Sequence, residues 1–135
     1  MRVVSQGGWI YYIEKTSIQL EDDRCGKWMY FFSDKEFVSH LCLEAVNNGI
    51  VSEAKHSDQS NGVACFYLNG DDFEGHKRVI GFFLDHNLIR KTKTGKLYNI
   101  AFKYDNQTRD GEYGEGFVSE IKLEQFLDLQ TGEWK

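Results

Sequence analysis

The alternation of apolar and polar positions is clearest over residues 97–104. Tyr98, Ile100, Phe102 and Tyr104 share one parity there, and Leu97, Asn99, Ala101 and Lys103 share the other. A period of two predicts a strand. Shorter runs of strand length lie at residues 9–13, 27–32 and 63–68, rich in aromatic and β-branched side chains. Residues 52–57 read as a more polar strand, suited to a sheet edge. An apolar stretch at 18–20 follows residues 9–13, and the two form an N-terminal hairpin or an added edge strand. Residues 118–123 alternate again and predict a closing strand, before a last helical turn over 124–129.

Two segments switch to helical spacing. Phe37, Val38, Leu41, Cys42, Ala45 and Val46 make one apolar face, with Ser33 and Glu36 at capping-box spacing and Gly49 past the last turn. Phe73, Ile80, Phe83 and Leu84 make the second face, capped by Asn69 or Asp71, with Glu74 at capping-box spacing from Asp71. His86 and Asn87 end that helix. A hairpin with a Gly95 turn follows over 90–98, and 106–116 reads as a glycine-rich acidic loop.

The order strand, helix, strand, strand, helix, strand repeats one unit, with Phe37 and Phe73 36 residues apart. It predicts an α+β fold: an antiparallel sheet with two helices on one face, a split-βαβ (ferredoxin-like) core and added terminal strands. All 135 residues read as a single domain. Large rings at Trp9, Tyr11, Tyr12, Trp28, Tyr30 and Phe32 fall on both faces of their strands. Two helices cover one face only, so a homodimer is expected to cover the other.

Composition narrows the function classes. No apolar run approaches the ~18 residues that span a bilayer, so no membrane partner is expected. The first eight residues carry no apolar signal core, which predicts a cytoplasmic protein. Cys25, Cys42 and Cys65 are widely spaced and odd in number, so they read as free thiols. His40, His56, His76 and His86 are scattered, and there is no Cys-x-x-Cys, so neither a metal nor another cofactor is expected.

The net charge of −5 disfavours a long nucleic acid. The charge is uneven, however. Residues 76–103 hold seven basic residues and one acid, a balance of +6 that leaves −11 for the remainder. That stripe suits a small anionic ligand. Its plainer reading is a solvated hairpin whose Lys91, Lys93 and Lys96 guard an edge strand.

The candidate contacts follow from residue chemistry. Lys77 and Arg78 lie in the opening turns of the second helix, where an anion is favoured; they equally suit ion pairs with Asp71, Asp72 and Glu74. Lys55 and His56 are adjacent in the polar strand and suit phosphate oxygens or acid–base chemistry. Tyr98, Lys103 and Arg109 mix an aromatic ring with charge near one strand end, a combination that stacks a base and holds its phosphates. No Gly-rich phosphate loop, nucleophile elbow or paired metal ligand occurs. An RNA-recognition signature is not met either, because Leu97 stands where glycine should follow Lys96.

Residues 27–32, 54–57, 62–69, 76–83 and 98–108 together resemble a group of small, uncharacterised proteins of bacteria and their phages. The resemblance carries no activity and no catalytic residues. Its context implies a role in the contest with host defence, by analogy with phage sponges that sequester nucleotide signals. The reading that results is a non-catalytic binder sequestering a small anionic nucleotide. The alternatives are a metal-independent phosphodiesterase or nucleotide hydrolase using His56 or His76, and a protein-binding inhibitor of a host defence factor.

Overall fold

The computed structural model describes residues 1–14, 19–105 and 121–135. Strand β1 (Arg2–Gln6) turns through Gly7 and Gly8 into β2 (Trp9–Ile13). Both glycines have positive φ, 60° and 83°, as a two-residue type I′ hairpin requires. Strand β3 (Cys25–Phe32) leads into helix α1 (Lys35–Asn47), and β4 (Glu53–Ser57) returns. Strand β5 (Gly62–Asn69) leads into α2 (Phe73–Asp85), and the two-residue β6 (Lys103–Tyr104) follows.

The six strands form one sheet in the order β1-β2-β4-β5-β3-β6, antiparallel at every pairing. The fold is α+β. Its inner order, β4-β5-β3-β6, is compatible with a split-βαβ core to which β1 and β2 are added.

Register and ring contacts together put both helices on one face. Trp28 lies opposite Phe66, Tyr30 opposite Ala64, and Ala64 opposite His56. Phe66 packs on Phe82 and Phe83 of α2, with centroids 6.1 and 5.3 Å away, while Tyr30 meets Phe37 of α1 at 6.4 Å. Trp28, Phe66, Val38, Ala45 and Val79 are fully or almost fully buried in the core between. Each large ring removed from water there stabilises the fold by roughly 1.5–3 kcal/mol.

Local details differ from the sequence reading. Asp34, not Ser33, caps α1 by accepting the Phe37 N–H, and Asp72, not Asn69 or Asp71, caps α2 by accepting the Gly75 N–H. The N-terminal hairpin pairs β2 with β1 rather than with residues 18–20, of which 18 lies outside the described residues. That hairpin docks on β4 and makes it an interior strand, although its polarity suggested an edge. The 106–116 loop lies outside the described residues, as does the first half of the 118–123 strand, residues 118–120; Leu123–Gln125 is a short 3-10 helix.

The largest difference concerns residues 97–104. Only Lys103 and Tyr104 join the sheet, against Lys27 and Gly26. Upstream, the backbone turns to the C-terminal segment instead. Leu97 N–H donates to Leu129 O, Phe102 N–H to Ile121 O, and Leu123 N–H to Ile100 O, at 2.8–2.9 Å. A side chain at Gly26 would strike the Lys103 carbonyl and the Phe102 ring, so the close approach of β6 depends on that glycine.

Candidate ligand-binding cleft

Because residues 98–101 leave the sheet, a cleft of about 410 Å³ opens between them and β3. Met29, Tyr30 and Phe31 form its floor, with Leu88 and Arg90 after α2, and Tyr98, Ile100, Ala101 and Lys103 opposite. The Tyr98 N–H donates to Arg90 O at 2.9 Å, and a bridge between Lys91 and Leu97 continues this hairpin. The hairpin holds an aromatic ring and a guanidinium on one wall. Phe31 and Tyr98 are 59% and 49% exposed, so two rings face water at one opening. Arg90 is exposed and makes no ion pair among the described residues. The cleft lies within the size range of small-molecule sites.

The structure separates the residues that sequence chemistry grouped. Tyr98 and Lys103 line this cleft together. Arg109 lies outside the described residues. Lys55 sits on the sheet face away from the helices, two strands from Met29 and so roughly 10 Å away. Its ammonium lies 4.1 Å from the Trp9 ring centroid, 5.5 Å from that of Tyr11 and 5.8 Å from that of Tyr67. Those rings hold the charge by cation–π attraction.

His56, the next residue, points to the opposite face and is fully buried. Its Nδ1–H donates to Ser57 O at 3.0 Å, and its Nε2 accepts from the Tyr12 hydroxyl at 3.1 Å. The imidazole fills the space under α1 beside Ser39. It is a core group with its ring nitrogens engaged, which corrects its expected role as a ligand contact. Strand alternation alone forbids Lys55 and His56 from meeting one ligand on one face.

Lys77 and Arg78 also stand apart from the cleft. Lys77 Nζ lies 4.8 Å from the Phe73 ring. Arg78 reaches Asp72 and the Ile50 carbonyl, each at 3.4 Å. The pairing alternative holds for Arg78, with Asp72 as its partner.

His76 is the second buried imidazole. Trp28 Nε1–H donates to its Nδ1 at 3.0 Å, and its Nε2–H donates to Gly70 O at 2.8 Å. Burial lowers its pKa from the ordinary value, opposed by the Gly70 hydrogen bond and by the nearby Asp72 and Asp71. This chain of bonds ties β3 to α2 beneath the Phe102 ring, 4.8 Å from the imidazole.

Arg90 and Phe31 are the cleft residues that sequence reasoning missed. Arg90 belonged to the basic stripe but carried no distinguishing signal. Phe31 looked like one more strand aromatic, since parity does not reveal which strand edge lies open.

The cysteines are separate. Burial pushes the Cys42 thiol up to about 12, which makes it inert packing. No group of three or more metal-ligating side chains occurs among the described residues. None of their helices is long and apolar enough to cross a membrane. Comparison with protein-family models, curated proteins and solved structures returns no match.

Proposed function

We propose that the chain is a non-catalytic binder of a small anionic nucleotide, held in the cleft between β3 and residues 98–103 and sequestered there. The observation that carries this reading is the joining of two exposed rings, Phe31 and Tyr98, with two cations, Arg90 and Lys103, around one opening. Rings stack a base and cations hold its phosphates through charge-assisted hydrogen bonds. The hydrolase alternative depended on His56 or His76 as acid or base. Both imidazoles are buried and hydrogen-bonded at each nitrogen, away from this opening.

Incubation with a panel of cyclic and ADP-ribose nucleotides, followed by denaturation and analysis of the released compounds, tests the reading. Intact ligand recovered from the protein supports sequestration. Product in its place supports a hydrolase, and no depletion of any compound removes the nucleotide site. Self-association to a homodimer belongs to the same proposal, with the outer rings Trp9 and Tyr11 as the contact. The centre of that sheet face is already covered within one chain, where Lys27, Cys65 and Tyr67 are buried. Light scattering that gives the mass of one chain at micromolar concentration rejects the dimer.

A further inference from the structure

We infer that the open backbone edge of β3, at Met29 and Phe31, reads the hydrogen-bonding edge of the ligand's base. This deepens the nucleotide reading and rests on it.

The direction of the β3 backbone groups follows from one bond. Gly70 N–H donates to Arg24 O at 2.8 Å, and these residues face each other one step beyond the Cys25–Asn69 pair. In an antiparallel ladder, alternate residues turn both backbone groups to the same neighbour. Gly26, Trp28, Tyr30 and Phe32 therefore face β5. Cys25, Lys27, Met29 and Phe31 face the β6 side. Lys27 meets Lys103 there. The pairing then stops, because Ala101 bridges to Lys122 and Ile100 N–H turns back to Tyr98 O.

The N–H and C=O of Met29 and Phe31 are thus directed into the cleft. Among the described residues no hydrogen bond reaches them. Backbone groups left open beside apolar walls favour whatever ligand satisfies them. A residue on a strand edge offers one donor and one acceptor side by side. Each nucleobase carries the matching pair, a ring nitrogen or carbonyl acceptor next to an N–H or amino donor. A base seated on this edge lies between the Phe31 and Tyr98 sides of the cleft, with Arg90 available to its phosphates and Lys103 lining the same cleft. A planar aryl phosphate fills the same space with the same charge but leaves the strand edge unsatisfied. The class assigned is therefore a nucleobase-bearing phosphate.

The test compares affinities by calorimetry for the four nucleoside 5′-monophosphates, cyclic di-AMP and 1-naphthyl phosphate. At least one nucleotide should bind about ten- to a hundredfold more tightly than 1-naphthyl phosphate, as expected for two added hydrogen bonds. Equal affinity for 1-naphthyl phosphate and the best nucleotide overturns the edge readout while leaving a cleft for aromatic anions. Binding by no probe overturns the nucleotide reading itself and the inference with it. Amide exchange followed by NMR on the unmodified protein gives the second measurement. The Met29 and Phe31 amides should exchange fast in free protein and slow down on adding the nucleotide. Unchanged exchange in the complex, or full protection before ligand is added, overturns the assignment.

Discussion

The two sides of β3 put similar chemistry to opposite uses. On the helix-facing side, Trp28 and His76 are joined by a 3.0 Å hydrogen bond and sealed under Phe102. At the outer edge, Phe31 and Tyr98 stand in water beside Arg90. Both places combine aromatic rings with nitrogen groups. In the first, every side-chain polar atom has a partner inside the chain, so the groups serve stability. In the second, ring faces, a guanidinium and strand backbone remain available to the ligand that we propose. Residue type alone does not separate the two; the supply of partners does.

The sharpest test of this contrast is Trp28→Ala. It should remove about 3–5 kcal/mol of stability, seen as a lower denaturant midpoint. A loss below ~1 kcal/mol would mean that the Trp28–His76 pair is not the anchor that the packing indicates.

The next effect is on pH dependence. The depressed His76 pKa means that the unfolded chain takes up a proton more readily than the folded one. The associated stabilisation is complete above the unfolded value of 6.5 and lost as pH falls from there through the lower folded value. Melting temperature should therefore drop across that acid range in the natural protein, and His76→Gln should flatten the His76 part of the drop. An identical profile in both proteins would break the claim.

Effects at the cleft should appear in affinity and not in stability. Tyr98→Ala and Arg90→Ala should each weaken nucleotide binding about ten- to a hundredfold by calorimetry. Each should change stability by no more than about 0.5 kcal/mol, as surface substitutions usually do. A large melting-temperature loss in either variant would move that residue to the structural side of the comparison.

The smallest effects are expected at residues that chemistry proposed and geometry separated. Lys55→Ala loses a cation–π contact of about 0.5–1 kcal/mol, and Arg78→Ala loses a partly exposed pair worth under about 1 kcal/mol. Neither should change nucleotide affinity. A tenfold loss in either would show that the ligand extends beyond the cleft.

Local spacing carried much of the fold. Apolar residues repeat along each helix of this chain at intervals that only one helical face accommodates, and strand runs such as 63–68 alternate or stay apolar because both faces are covered. These are short-range constraints, so a single chain of letters contains them. The two helices, four central strands and α+β class were legible for that reason. Tyr98 and Lys103 were legible as a pair for a similar one, lying five residues apart near the end of one predicted strand.

What the letters did not contain was the choice of partner. The 97–104 alternation fits a sheet neighbour and a C-terminal neighbour equally well, because a strand's backbone bonds are identical in either pairing. Tertiary packing sent Leu97 and Phe102 to Leu129 and Ile121. That choice left the edge of β3 open and created the cleft. The same packing buried His56 against Tyr12 and left Lys55 on the other face. Residues 44 apart in sequence meet there, and no local period records a meeting between distant segments. Sequence determined which segments can be helices and strands; tertiary structure decided which strand edge remains exposed and which charges reach it.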